Sequence, residues 1–146
     1  MNRDIKFKIW DKEEKKFLQI NWEGEDTRHT KGKANICYSD SVYVTLSGYV
    51  NEDGWPYEVD ADILQYTGLK DKNGKEIYEG DILSIKIYSG DKVIVEGKTV
   101  VEFKNGCFGV IWGHDKAFLS LNSFFKAKFE VIGNIYENPE LLEGKQ

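Results

Sequence analysis

The sequence predicts an α+β fold that is mostly β-structure, with an N-terminal α+β part followed by a C-terminal antiparallel barrel with short helices. Three observations predict it. Apolar and polar residues alternate in many short runs, which is the period of a half-buried strand. Turn residues, including two Asn-Gly pairs, separate these runs. Helical spacing is confined to a few short stretches.

With 146 residues, the chain is expected to form one domain or two intimately packed subdomains, which we place at residues 1–64 and 65–146. The formal net charge is −5, and residues 1–64 hold 9 basic and 13 acidic side chains. Such a surface repels phosphate backbones, which disfavours non-specific nucleic-acid binding. Cys37 and Cys107 have no partner motif and are expected to be reduced thiols.

Alternation in the first part predicts an N-terminal hairpin from Ile5–Ile9 and Phe17–Trp22, followed by strands at Ala34–Tyr38 and Val42–Leu46. Trp55-Pro56 is expected to end regular structure. Asp60 to Tyr66 is compatible with one or two helical turns that Asp60 would cap.

The central stretch contains Asn73-Gly74, and charge pairing selects its hairpin register. A two-residue loop would place Lys72 opposite Lys75, and like charges directly opposed are destabilising. A three-residue loop, Lys72-Asn73-Gly74, instead pairs Asp71 with Lys75 and Lys70 with Glu76. It also puts Gly74 at the left-handed position. We therefore predict the three-residue loop.

The second part is predicted to be strand-rich. Leu83, Ile85 and Ile87 share one strand face, Gly90-Asp91 forms a turn, and Val93 to Glu96 forms a short strand. A two-residue loop at Asn105-Gly106 places Phe103 opposite Phe108. Short helices are expected from the spacing of Leu121, Phe125 and Phe129 and after a cap at Asn138. Several short strands with a short helix before the last one predict an SH3-like barrel.

No residue pattern in the chain predicts catalysis, a metal site or a cofactor. The central stretch departs from a P-loop. It also departs from an EF-hand loop, because Glu76 stands at the sixth position, where an EF-hand loop needs Gly. Glu58, Asp60 and Asp62 could hold a hard cation if extended, but a solvated acidic loop with a helix cap is the interpretation we favour. His29 and His114 have no neighbouring ligands. We predict a protein that is not an enzyme.

A partner-binding surface is predicted at the central hairpin, formed by Tyr66, Lys70, Lys72, Lys75 and Tyr78. Exposed lysines and tyrosines could bind nucleic acid by phosphate contacts and base stacking. Alternating aromatic residues on strands are more often core, and core is the interpretation we favour for these rings.

The run Gln65-Tyr66-Thr67-Gly68-Leu69 through Gly80-Asp81-Ile82 resembles the signature of the YopX family of phage and prophage proteins. Ile5 to Asp11 and Glu130 to Leu142 resemble the opening strand and the closing strand and helix of that family. The resemblance implies an α+β N-terminal part, an SH3-like barrel and no assigned biochemical role.

The resemblance implies a small accessory protein of a phage or prophage and hence a bacterial host cell. A cytoplasmic location is expected for this protein because no signal-peptide core or apolar span of about 20 residues is present. Its expected partner is a phage or host protein, and an oligomer is possible. Nucleic acid is the alternative partner.

Overall fold

The computed structural model describes residues 4–18, 33–38, 42–50 and 56–143. These residues are mostly β-structure, with antiparallel sheets and a curled half-barrel. They divide into two compact units, of which unit 1 comprises Met1–Phe7 with Leu64–Gln146 and unit 2 comprises Lys8–Ile63. Our predicted division lay at 64/65, and residues 1–7 additionally group with the C-terminal part.

The strands are β1 (Phe7–Asp11), β2 (Lys16–Phe17), β3 (Lys33–Tyr38), β4 (Val42–Val50), β5 (Pro56–Val59), β6 (Ala61–Lys70), β7 (Glu76–Tyr78), β8 (Asp81–Ser89), β9 (Lys92–Val100), β10 (Glu102–Lys104), β11 (Cys107–Trp112), β12 (Ala117–Ser120) and β13 (Ala127–Asn134). Two 3₁₀ turns span Leu121–Ser123 and Pro139–Leu142.

Unit 2 contains the predicted N-terminal hairpin, in which β1 and β2 pair through Trp10 with Phe17 and Asp11 with Lys16. Strands β3, β4 and β5 form an antiparallel sheet in that order. Val44 is fully buried among Ile9, Leu18, Ala61 and Ile63. The strands predicted at 34–38 and 42–46 are thus confirmed.

Two predictions of local structure near residue 60 are wrong. Pro56 begins β5 instead of ending regular structure; its missing N–H is tolerated at the first residue of a strand. Residues 61–66 belong to the strand β6 and not to a helix. Backbone pairing explains the second error, because Tyr66 N–H donates to the Lys6 carbonyl at 2.9 Å, a partner 60 residues away.

Unit 1 is built on two three-stranded antiparallel sheets, with strand orders β13-β8-β9 and β10-β11-β12. Its core contains Leu83 and Ile85 from β8, as their predicted shared face requires, together with Ile77, Val101, Val110 and Leu121. The two-residue loop at Asn105-Gly106 is confirmed, since Phe103 faces Phe108 and both loop residues have positive φ.

The helical expectations for unit 1 are only partly met. Leu121–Ser123 is a single 3₁₀ turn capped by Ser120, and Ala127–Asn134 continues as strand. Pro139–Leu142 is also a 3₁₀ turn, and Asn138 precedes it without a side-chain capping bond. The Asn138 side chain accepts a hydrogen bond from Asn134 N–H at 3.3 Å instead. Strand β9 is longer than predicted because Gly97 continues the ladder opposite Ile85.

Candidate functional site

The central hairpin joins β6 to β7 with the predicted register. Lys70 pairs with Glu76, and Asp71 N–H donates to the Lys75 carbonyl at 2.8 Å. Gly74 has φ +82°, a conformation that glycine adopts without the cost other residues incur. The three-residue loop is therefore confirmed.

Asp71 holds this hairpin with both oxygens of its buried carboxylate. Oδ1 accepts from the N–H groups of Asn73 and Lys75 at 2.8 and 2.9 Å. Oδ2 accepts from Val131 N–H on β13 at 2.9 Å. Burial raises the pKa of Asp71, but the hydrogen bonds from these three N–H groups outweigh it and leave the pKa below its ordinary value. This carboxylate therefore binds backbone, where a calcium loop would need it to bind a cation.

The hairpin loop is also joined to β13 by its own backbone. Lys72 N–H donates to the Phe129 carbonyl at 2.9 Å, next to the contact of Asp71 with Val131. The Lys72 ammonium lies 3.5 Å from a carboxylate oxygen of Glu130. Two hydrogen bonds to the main chain of β13, one from the Lys72 N–H and one to the Asp71 carboxylate, hold the hairpin and its side chains in place.

The two tyrosines of the predicted partner-binding surface are buried. Tyr66 and Tyr78 are 5% and 6% exposed, and their ring centroids lie 5.4 Å apart. The Lys6 ammonium lies 5.6 Å from the Tyr66 ring centroid and forms an ion pair with Glu76. Neither ring is available for base stacking in this structure.

Glu76 links the tyrosine pair to Lys6. Its second oxygen accepts a hydrogen bond from the Tyr78 hydroxyl at 3.1 Å. Burial and this bond to a carboxylate both raise the pKa of Tyr78. The pKa of Glu76 is below its ordinary value, mainly because of its hydrogen bond with Lys6. The same bond raises the pKa of Lys6.

The three lysines of that predicted surface, Lys70, Lys72 and Lys75, are exposed on the hairpin. Each has an acidic neighbour: Lys70 faces Glu76, Lys72 approaches Glu130, and Lys75 lies beside Asp71. The structure thus brings the lysines together on one rigid turn and separates them from the buried tyrosines. Whether this surface binds a partner stays a prediction.

Sequence reasoning missed an exposed apolar surface at the far end of the β8–β9 hairpin. Val93, Ile94 and Val95 are 43%, 60% and 45% exposed on the edge strand β9. Phe125 is 77% exposed and lies near the same end of the sheet. The carbonyl of the next residue, Lys126, accepts a hydrogen bond from Tyr88 N–H, and Tyr88 is paired with Val93. We call these four apolar residues the β9 tip. The signal available in the sequence was three consecutive apolar residues without alternation.

The other predicted candidates are placed as follows. Lys12 lies 3.8 Å from Asp60 and 3.3 Å from Asp62, so a lysine ammonium partly balances these acids. His114 is in the exposed turn between β11 and β12, and Cys107 is a half-buried free thiol. The side chains of Cys37 and Glu58 and the whole of His29 lie outside the described structure.

The described ranges contain neither a cluster of side chains suited to hold a metal ion nor a helix suited to cross a membrane. No group of three or more His, Cys, Asp or Glu side chains there could hold a metal ion. No helix of the described residues has the length and apolar character that crossing a membrane requires.

The geometry defines a small, mostly β protein with a rigid charged hairpin and an exposed apolar strand tip. The chain belongs to the YopX family, described as YopX protein, which matches residues 6–143. The resemblance noted in the sequence is thereby confirmed.

Two solved structures are similar over nearly the whole chain. Protein EF1440 from Enterococcus faecalis is 31% identical, with a TM-score of 0.56, over 97% of this chain and all of that one. YopX from Bacillus subtilis is 25% identical, with a TM-score of 0.60, over 94% of this chain and 97% of that one. No curated protein matches the chain.

Proposed function

We propose that this protein is a non-enzymatic accessory protein of a phage or prophage that acts in the bacterial cytoplasm by binding a phage or host protein. Membership of the YopX family supports the association with phage, because the family is one of phage and prophage proteins. The β9 tip is the single observation that supports protein binding, because it exposes four large apolar side chains near one end of the same sheet. Exposed apolar patches on soluble proteins often mark interaction sites.

We also propose that unit 1 is an SH3-like barrel. Its support is the order β8, β9, β11, β12, a 3₁₀ turn at Leu121–Ser123 and then β13, since a short helix before the last strand is what the sequence predicted. The α+β character predicted for residues 1–64 stays a prediction. The described residues of that range form strands and turns, with no helix among them.

The chemistry of the β9 tip favours a protein partner over a polynucleotide. Val93, Ile94 and Val95 contribute apolar area at a sheet edge, and an edge strand has backbone groups available for pairing. Phe125 adds a large ring, of the aromatic type enriched at protein interfaces. A partner that buries these side chains gains free energy from the removal of apolar surface from water.

A matched pair of double variants tests this proposal. Ile94→Ser with Phe125→Ser removes the two most exposed apolar side chains of the β9 tip. Ile5→Ser with Phe7→Ser removes residues that are 58% and 44% exposed elsewhere in unit 1. Each protein is expressed with an affinity tag in phage-infected cells, crosslinked, and its bound proteins are quantified by mass spectrometry.

We expect a specific protein that the wild type and the Ile5/Phe7 variant retain and that the Ile94/Phe125 variant loses by at least about tenfold. Equal recovery with both variants would remove the β9 tip as the binding surface. If no protein is enriched over a tag-only control at any salt concentration, the proposed function itself is rejected.

Nucleic-acid binding at the central hairpin is the second candidate, and it rests on three exposed lysines on one fixed turn. Lys70→Glu with Lys72→Glu is expected to weaken binding to a single-stranded oligonucleotide, and wild-type affinity should fall as salt rises. Fluorescence anisotropy at low salt measures both effects. No binding by the wild type under these conditions excludes this candidate.

A further inference from the structure

A recess lies in unit 1, and none of its lining residues belongs to the β9 tip. It is a cleft of about 450 Å³ formed by β6, the β10–β11 hairpin and the first 3₁₀ turn. We call it the β6 cleft and define it by Gln65, Thr67, Phe103, Cys107, Ser120 and Asn122. Its volume falls in the range of small-molecule sites in proteins, roughly 300–1,000 Å³.

The described lining of the β6 cleft is uncharged in a chain that is 31% charged. Among the described residues, no Asp, Glu, Lys, Arg or His lines it. An ion placed there would lose water without gaining a counter-charge, which is unfavourable for a carboxylate and an ammonium alike. A neutral ligand avoids this cost, so the lining selects against charge of either sign.

Two hydroxyl groups in the lining are oriented by backbone N–H groups. Thr67 Oγ1 accepts from Leu69 N–H at 3.1 Å, and Ser120 Oγ accepts from Asn122 N–H at 3.2 Å. A hydroxyl that accepts in this way still has its hydrogen to donate. Neither hydroxyl donates a hydrogen bond to another group within the described part of the chain. Each hydrogen can therefore be donated to a ligand oxygen.

Aromatic side chains supply the apolar part of the cleft. Phe103 and Phe108 lie edge to face with ring centroids 5.0 Å apart, and Phe103 is half exposed. Leu69 and Leu121 complete the apolar lining. A flat ring can pack on such a surface, because aromatic contacts add about 0.5–1.5 kcal/mol to area burial.

We propose that the β6 cleft binds an uncharged small molecule that combines a flat ring with a carbonyl oxygen. The ring packs on Phe103 and Phe108, and the carbonyl accepts from the hydroxyl groups of Thr67 and Ser120. This site is separate in place and in chemistry from the β9 tip, so either can fail without the other.

Three small probes of similar shape and different charge test the site. Benzamide is neutral and has a ring and a carbonyl, whereas benzoate is an anion and benzylamine is a cation at neutral pH. Each is titrated into ¹⁵N-labelled full-length protein while backbone amide shifts are recorded. With nine heavy atoms, benzamide should bind with a Kd of about 10 mM or tighter.

We expect benzamide to shift the amides of Thr67, Cys107 and Asn122 and to bind about tenfold more tightly than either charged probe. Thr67→Val should weaken benzamide binding by about fivefold, because the methyl group keeps the shape and removes the donor. Thr99→Val is the matched control, since Thr99 donates to the Ile111 carbonyl at 2.9 Å and does not line the cleft.

Three results would overturn the proposal: no shift of the cleft amides with benzamide, equal binding of the charged probes, or equal weakening by Thr67→Val and Thr99→Val. If Thr67→Val disturbs the fold, as its whole amide spectrum would reveal, Ser120→Ala replaces it, with Ser89→Ala as the control outside the cleft. Equal benzamide affinity in those two variants rejects the hydrogen-bonding role.

Discussion

Replacement of Asp71 perturbs the attachment of the central hairpin to β13 more directly than any other single change. Asp71→Ala removes the acceptors of three backbone N–H groups at once. Asp71→Asn keeps one oxygen for the turn, but its amide nitrogen cannot accept from Val131 N–H. The two variants therefore separate the turn from the attachment to β13.

The expected cost follows from where each N–H group lies. The N–H groups of Asn73 and Lys75 are at the exposed loop and can turn to water, so their loss costs roughly 0.5–1.5 kcal/mol each. The Val131 N–H is left without its acceptor against the hairpin, at about 1–3 kcal/mol. Asp71→Ala should therefore destabilise by about 2–6 kcal/mol, and Asp71→Asn by about 1–3 kcal/mol.

The dependence on pH has a definite sign. The folded-state pKa of Asp71 is below its ordinary value of 3.8, so its hydrogen bonds contribute fully above that value. The contribution is lost as the pH falls from about 3.8 through the lower pKa of the folded state. The difference between wild type and Asp71→Asn should therefore persist from pH 7 to pH 5 and shrink only below pH 4.

Urea unfolding followed by tryptophan fluorescence measures these differences. With a denaturant slope of about 1–3 kcal/mol/M, Asp71→Ala should lower the unfolding midpoint by about 1 M or more at pH 7. Asp91→Asn is the matched control, because Asp91 lies in the exposed turn between β8 and β9. If Asp71→Asn unfolds at the midpoint of Asp91→Asn, the account of the hairpin given above is refuted.

Three further perturbations test the core and the tyrosine pair. Gly80→Ala should destabilise by about 2 kcal/mol or more, measured by thermal unfolding, because φ is +83° and the new Cβ would lie 2.9 Å from the Tyr136 ring; a change under about 0.5 kcal/mol would contradict this. Leu83→Ala in the fully buried core should cost about 2–5 kcal/mol by urea unfolding, and a smaller loss would place this side chain outside the core. Tyr78 should ionise above its ordinary pKa of 10.0 in an absorbance titration, because burial and the Glu76 carboxylate both raise its pKa. Glu76→Gln should move that titration to lower pH, and an unchanged titration would show that the carboxylate does not contribute.

The two hairpin registers could be predicted from sequence because their determinants are local. Lys72 and Lys75 exclude one register at the first hairpin, and the pairing of Phe103 with Phe108 selects one at the second. Each argument needs only residues within a few positions of the turn. The pairing of charges and of aromatic rings across two adjacent strands therefore predicts both observed registers.

The strand β6 and the side chains that cover Tyr66 could not be predicted in this way. Asp60 is a good helix cap by local propensity, but the residues after it pair with β1, which lies more than 50 residues earlier. Tyr66 is buried because Tyr78 and Lys6 cover it. Such contacts depend on tertiary structure, and no local pattern reports them.

The β9 tip and the β6 cleft escaped prediction for a related reason. Apolar residues in a strand are expected to be core, and only the strand order identifies β9 as an edge. The cleft combines residues from three separate segments, between Gln65 and Asn122. Neither surface has a motif, and each exists only once the sheets have formed.

The contact between Asp71 and Val131 also constrains the order of folding. The hairpin closes within a few residues and can form in microseconds, whereas its attachment spans 60 positions of chain. Ribosomes deliver the hairpin several seconds before the segment 127–134, at about 5–20 residues per second. The nascent protein therefore holds an unanchored hairpin during synthesis, and late docking of the closing strand completes unit 1.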